Sequence, residues 1–87
     1  MNAKRLKKRL IKAIYKMNPH GEKIVLGKNF PNIFLKIIAV EEIDKQRYMR
    51  CRLVGYNNSS FKINFNDLSL TELAGIYETL CNHAAHL

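Results

Sequence analysis

Positively charged side chains crowd the first seventeen residues of this 87-residue chain. This segment, MNAKRLKKRLIKAIYKM, holds seven lysines and arginines and no acidic residue. The remaining 70 residues hold eight bases and seven acids, so the net charge of +8 comes almost entirely from one short stretch. A charge asymmetry of this kind indicates an anionic partner, which is nucleic acid, a lipid surface or an acidic protein surface.

Six of these bases have the spacing of neighbours on one side of a helix. They are Lys4, Lys8, Lys12 and Lys16 in one series and Arg5 and Arg9 in another. Four like-charged pairs at this spacing destabilise the helix by about 1–2 kcal/mol in total, which alternating lysine and glutamate would relieve. We therefore select these six residues as candidate contacts to phosphate groups. The alternative is an ordinary solvated face of a basic protein.

A second candidate surface lies on the outer face of the predicted sheet. Arg50 and Arg52 alternate there with Tyr48 and Tyr56, close to further bases and an aromatic ring on the neighbouring strands: Lys36, Lys62 and Phe34. Aromatic rings among bases on an open sheet stack nucleobases and neutralise phosphates, so both arginines join the candidate nucleic-acid contacts. The same face also carries Ile38, Val40 and Val54. It is therefore equally suited to a homodimer interface or to coverage by one of the helices.

Residues for catalysis or metal binding are sparse. Cys81, His83 and His86 have spacings found in metal sites, but a helical wheel separates them, and His20 is the one further histidine. Nothing in the sequence resembles a nucleophile with its base, a paired-carboxylate site, a phosphate-binding glycine loop or a dinucleotide fingerprint. Asp67 and Glu72 flank a helix start and are explained by capping. We expect no enzyme, no cofactor and no metal.

The bases depend on a helix over residues 3–17 for their position. At 100° per residue its apolar side chains form one stripe that faces the core: Ala3, Leu6, Leu10, Ala13, Ile14 and Met17. Ile11 and Tyr15 lie beside the bases and are predicted at the edge of the core. The helix ends where Asn18 precedes Pro19, because proline disfavours helical geometry in the residue before it.

Alternating polarity predicts the strands that follow. KIVLG is a short strand, and residues 33–43, 47–56 and 61–66 form an antiparallel meander with a hairpin connection at DKQ. The inner face is predicted to hold Ile33, Leu35, Ile37, Ala39, Ile43, Met49, Cys51, Leu53, Phe61, Ile63 and Phe65. The outer face is predicted to hold Phe34, Lys36, Ile38, Val40, Glu42, Tyr48, Arg50, Arg52, Val54, Tyr56, Lys62, Asn64 and Asn66.

The last helix has a clear start at LSLTEL. Ser69 is the predicted N-cap, Glu72 completes a capping box, and Leu68 with Leu73 forms a hydrophobic staple. Its predicted apolar face consists of Leu70, Leu73, Ala74, Ile76, Tyr77, Leu80, Cys81 and Ala84. Residues 1–87 are thus predicted as a single α+β domain, a two-layer sandwich of a three- or four-stranded antiparallel meander and two helices, in α-β-β-β(-β)-α order.

This predicted order resembles that of the double-stranded-RNA-binding domain, which is also α-β-β-β-α. The resemblance is one of topology. That family has a lysine cluster at the start of its second helix, where this chain has LSLTEL, and a Gly-Pro and histidine loop that this chain lacks. The resemblance therefore carries no binding residue over to this sequence.

The two cysteines, Cys51 and Cys81, fall on predicted apolar faces and are interpreted as free thiols in a reducing cytoplasm. The sequence has no apolar run of the roughly 20 residues that a membrane helix needs, and we expect no signal peptide because the basic N-terminus lacks a continuous apolar region. Our first hypothesis is a cytoplasmic protein that binds DNA or RNA through phosphate contacts. The alternative is a protein-interaction module, either a homodimer formed through the outer sheet face or an adaptor or inhibitor that docks on an acidic surface. Attachment of the basic helix to a membrane surface is a third class.

Overall fold

The computed structural model describes residues 2–85, except for the side chains of residues 84 and 85. Its elements follow in the order α1 (Ala3–Met17), β1 (Lys23–Val25), β2 (Phe34–Ile43), β3 (Gln46–Val54), β4 (Ser60–Asn64), a short 3₁₀ helix (Phe65–Asp67) and α2 (Leu70–Ala85). The four strands form one antiparallel sheet in sequence order. The predicted α+β class and element order are confirmed.

Helix α1 spans the predicted residues but is rotated relative to the prediction. Asn2 caps its first turn, since its side-chain oxygen accepts a hydrogen bond from the backbone N–H of Arg5 at 2.8 Å. Ile11 and Ile14 are the buried residues of α1, whereas Leu6 is 39% exposed. Ala3 and Met17 are exposed as well, which corrects the predicted stripe. In this orientation Lys8 and Lys12 of α1 lie beside the β2–β3 hairpin.

Helix α2 begins with the predicted capping box. The Ser69 N–H donates to the Glu72 carboxylate at 2.8 Å, and the Glu72 N–H donates to the Ser69 hydroxyl at 3.1 Å. The hydrogen bond from the Ser69 N–H is the main cause that lowers the pKa of the Glu72 carboxyl. Its buried face holds Leu73, Ile76 and Leu80, while the predicted face residue Ala74 is exposed. The side chain of Ala84, also predicted on this face, lies outside the described residues.

A β-bulge in β2 reverses the predicted alternation. Ile37 pairs with Cys51 and Ala39 pairs with Arg50, so Ile38 has no partner on β3. An extra residue shifts the following side chains to the opposite faces, because the period of a strand is two. The prediction was therefore wrong beyond Ile37. Ala39 and Ile43 lie on the outer face with Glu41, whereas Val40 and Glu42 lie on the inner face.

Two further outer-face assignments were wrong at strand ends. Tyr56 lies in the turn after β3 and is 74% exposed, and Asn66 lies in the 3₁₀ helix. Cys51, Met49 and Phe65 were correctly predicted and are buried.

Both helices pack on the same face of the sheet. Their buried residues form one cluster with the inner strand residues: Ile11, Ile14, Ile37, Met49, Cys51, Phe65, Leu73, Ile76 and Leu80. The outer face of the sheet is consequently covered by neither α1 nor α2, which removes one of the alternatives raised by the sequence. Within residues 2–85, no helix has both the length and the apolar character required to cross a membrane.

Candidate nucleic-acid interface

The six candidate bases of α1 all lie on the solvent side of the helix. The side chains of Lys4, Arg5, Lys8, Arg9, Lys12 and Lys16 are all exposed. Among residues 2–85, no carboxylate forms an ion pair with the ammonium groups of Lys4, Lys8, Lys12 or Lys16. We call these six residues the α1 basic face. It displays cationic groups together toward solvent, as the spacing in the sequence predicted.

The seventh base of α1 has a structural position instead. Lys7 is half-buried, and its ammonium group donates a 2.7 Å hydrogen bond to the backbone carbonyl of Asn66. This bond joins α1 to the 3₁₀ helix, where Phe65 enters the core. Lys7 therefore holds α1 in place beside the sheet and is not part of the α1 basic face.

A cleft extends the α1 basic face onto the sheet. It has a volume of about 360 Å³ and lies between α1 and the tip of the β2–β3 hairpin. Four cations and one acid line it, above an apolar floor: Lys8, Lys12, Lys45, Arg47 and Glu42, with Ile11, Phe65 and Asn66. Alternation along β3 places Arg47 on the same face as Met49 and Cys51, but the cleft itself was not predictable, because it depends on how α1 docks.

Arg47 is held in the cleft by an aromatic ring. Its guanidinium carbon lies 4.7 Å from the centroid of the half-buried Tyr15 ring of α1. A cation over an aromatic face is attracted by the ring quadrupole, and the contact orients the guanidinium plane. Tyr15 thus lies at the edge of the core, as predicted, and positions a base.

Lys45 reaches the same cleft from a tight turn. Ile43 pairs with Gln46, so Asp44 and Lys45 alone connect β2 to β3, with φ angles of 50° and 67°. Two consecutive positive φ angles are the signature of a type I′ turn, which favours asparagine followed by glycine. The second position of this turn therefore carries a lysine where glycine has the lower conformational energy.

The two arginines proposed for the outer sheet face differ in their surroundings. Arg50 donates a 2.6 Å hydrogen bond to the carboxylate of Glu41, and the Lys62 ammonium lies 3.8 Å from the same carboxylate. The Arg50 hydrogen bond holds the pKa of the Glu41 carboxyl below its usual value. Arg50 is therefore neutralised within the molecule. Arg52 is exposed and has no such partner in the described part of the chain.

The cysteines and histidines form no common site. Cys51 and Cys81 are both free, the first buried and the second half-buried. Burial raises the pKa of the Cys51 thiol to about 11, which keeps it protonated and unreactive at neutral pH. His20 and His83 are exposed, His86 lies outside the described residues, and residues 2–85 contain no cluster of three metal-ligating side chains.

Comparison of the chain with protein families, with curated proteins and with solved structures found no match.

Proposed function

We propose that this protein is a small, non-enzymatic nucleic-acid-binding protein that contacts backbone phosphates through the α1 basic face and the adjoining cleft. The observation that carries the proposal is the set of exposed bases on α1, continued by Lys45 and Arg47 across the cleft, with Glu42 as the one acid among them. Lysines and arginines that lie this close together neutralise the phosphates of a nucleic acid and release the counterions condensed on it.

The positions of these cations reduce the stability of the protein, which supports a function for them. Like charges at four-residue spacing destabilise α1, and bases in its first turn oppose the helix dipole. Lys45 adds the conformational cost of a positive φ angle. A domain of this size has little stability to spare, so features that reduce stability and display cations in one place favour a role in binding anions.

We propose that the protein contacts the phosphates of the nucleic acid and not its nucleobases. Lysine is a point charge on a flexible stem, and four of the six residues of the α1 basic face are lysines. Contacts of this kind bind any sequence with similar affinity. The two free cysteines are compatible with a reducing compartment, and we place the protein in the cytoplasm.

Salt dependence of binding tests the proposal directly. Fluorescence anisotropy of a labelled DNA duplex, measured from 50 to 300 mM NaCl, should give a slope of log K against log salt near −4.5 if about five phosphates are engaged. The variant Lys8→Gln/Lys12→Gln should reduce the magnitude of this slope by about 1.8, because each lost contact contributes about 0.9.

The matched control replaces a lysine that lies outside the cleft and the α1 basic face. Lys28 is exposed in the loop between β1 and β2, so Lys28→Gln should leave the slope nearly unchanged. No binding of the wild-type protein at 50 mM salt would refute the proposal. Equal slopes for wild type and the double variant would refute the assignment of the site.

The alternative function is docking on an acidic protein surface or on a second copy of the chain. The observation that favours it is the uncovered outer sheet face, where Val25 is 65% exposed beside the half-buried Phe34 and Val54. Light scattering that gave a tight dimer, together with charge reversal at Lys12 that left oligonucleotide binding intact, would favour this alternative.

A simple spectrum provides an early test. The chain contains four tyrosines and no tryptophan, so its own absorbance at 280 nm is weak. Nucleic acid that co-purifies with the protein should dominate the spectrum at 260 nm and should be removed by a high-salt wash, since the proposed contacts are electrostatic.

A further inference from the structure

A row of three cations crosses the outer face of the sheet. Lys23 of β1 pairs with Lys36 of β2, and Lys36 pairs with Arg52 of β3, so the three residues stand directly opposite one another on three adjacent strands. All three are exposed. We call Lys23, Lys36 and Arg52 the cationic row. It lies on the face of the sheet opposite to the one that carries α1.

On the same face, the neighbouring bases Arg50 and Lys62 share one carboxylate partner, whereas the bases of the cationic row have none among residues 2–85. Glu41 accepts a hydrogen bond from Arg50 and lies within ion-pair distance of Lys62. No carboxylate of residues 2–85 forms an ion pair with a member of the cationic row. The bulge at Ile38 accounts for part of this contrast, because it turns Glu41 rather than Glu42 to the outer face.

The cationic row reduces the stability of the sheet and has a shape suited to a ligand. Like charges directly opposite each other on adjacent strands are destabilising. Lys36 and Arg52 line a cleft of about 290 Å³ together with His20, Gly21 and Ile38. Lys23 lies 4.4 Å from the ring centroid of Phe34, so an aromatic ring adjoins the bases. Uncompensated cations, a concave surface and a nearby ring are the features of a backbone phosphate site.

We propose that the cationic row binds the phosphates of a second nucleic-acid segment, so that one molecule bridges two segments. This inference rests on the proposed function, because bridging requires that the α1 basic face binds the first segment. The row itself is a separate site with separate residues. Its partner class is the phosphodiester backbone.

The position of the two surfaces permits simultaneous occupation. Helix α1 and the sheet form the two layers of the molecule, and the cationic row lies on the far side of the sheet from α1. The smallest extent of the molecule is 26 Å. Exposed charges that lie farther apart than the Debye length, about 10 Å at 0.1 M salt, are largely screened, so segments bound on opposite faces of a molecule of this size repel each other only weakly.

A capture experiment tests bridging. One biotinylated DNA duplex is fixed to beads at low density, the protein is added and unbound protein is washed away. A fluorescent duplex is then added in 0.1 M salt. The wild-type protein should retain the fluorescent duplex. The variant Lys36→Gln/Arg52→Gln should bind the first duplex at least as well as the control variant below and should retain the second about eightfold less for each phosphate contact that it loses.

The control variant, Lys28→Gln/Lys62→Gln, removes the same charge outside the cationic row and should capture the second duplex as the wild type does. Equal loss of capture in both variants would mean that net charge alone is responsible and would overturn the proposal. Binding of the wild type to the fixed duplex without capture of the fluorescent duplex would overturn bridging and leave the proposed function intact. Failure of the wild type to bind even the fixed duplex would refute the proposed function.

Light scattering separates bridging by one molecule from bridging by a dimer. We expect the wild type and the row variant to have the same mass in solution. A wild-type dimer that becomes monomeric when Lys36 and Arg52 are replaced would show that the row is an interface between copies, and the proposal would be wrong. Chemical denaturation of both variants verifies that they are folded.

Discussion

At the scale of one residue, Lys45 brings a positive charge to the cleft but reduces the stability of the protein. Its φ of 67° lies in the left-handed region, where a residue with a Cβ atom has a higher energy than glycine. Asp44 before it has a φ of 50°, so the whole connection between β2 and β3 uses this geometry. Its side chain lines the cleft beside Lys8 and Lys12 of α1.

We predict that Lys45→Gly stabilises the protein and weakens binding. Relief of the left-handed conformation should raise the free energy of unfolding by about 0.5–1 kcal/mol, after allowance for the greater freedom of glycine in the unfolded chain. Urea denaturation measures the first effect, and the salt slope of duplex binding should lose about 0.9. An unchanged slope would show that Lys45 makes no phosphate contact.

Cys51 gives a prediction for alkaline pH. The folded thiol has its pKa raised to about 11 by burial, against a reference value of 9.0. Between these values the unfolded chain loses the proton while the folded chain keeps it, so this contribution to stability is complete below pH 9 and is lost as the pH rises. The loss should reach about 2 kcal/mol at pH 11. In Cys51→Ala, denaturation curves from pH 8 to 11 should show a smaller decline; an identical decline would contradict the assignment.

At the scale of the element, α1 has two roles, one on each flank of the helix. One flank supplies Ile11 and Ile14 to the core, and Lys7 fastens the helix to the 3₁₀ segment. The other flank displays bases whose mutual repulsion reduces helix stability. If the basic flank were only a solvated surface, a mixture of charges there would give a more stable helix.

We predict that Lys12→Glu raises stability and abolishes most binding. The change converts two repulsive pairs, with Lys8 and with Lys16, into attractive ones, so the free energy of unfolding should increase by about 1–2 kcal/mol at low salt. The increase should diminish at 0.5 M NaCl, because salt screens exposed pairs. Lys12→Gln, which removes the repulsion without adding attraction, should give about half the gain.

The effect of Lys12→Glu on duplex affinity decides between the two interpretations of α1. Placing a carboxylate among the phosphate contacts should lower the affinity more than Lys12→Gln does, since repulsion replaces a lost attraction. Higher stability with unchanged affinity would identify the basic flank as an ordinary solvated surface.

At the scale of the whole molecule, local signals predicted the elements, and tertiary contacts determined which side chains face one another. The capping box at Ser69 and the length of α1 were predictable because they depend on residues close in sequence. The rotation of α1 and the contact between its Tyr15 ring and Arg47 were not, because both depend on how the helix docks on the sheet.

The candidate site was predictable to a similar extent. Spacing alone identified the six bases of α1, all of which are exposed. The neutralisation of Arg50 was missed, because the predicted outer face held Glu42 and not Glu41. No alternation pattern reveals a bulge in a segment where every residue from 33 to 40 except Lys36 is apolar.

The unpaired position of Ile38 has an evolutionary consequence. A chain without this residue would have a regular ladder in which Ala39 still follows Ile37 on the opposite face, and every other side chain of β2 would keep its orientation. Loss of one codon at the bulge therefore preserves the hydrophobic pattern of β2 on both sides of it. Orthologues that are shorter by one residue at this point should share the architecture.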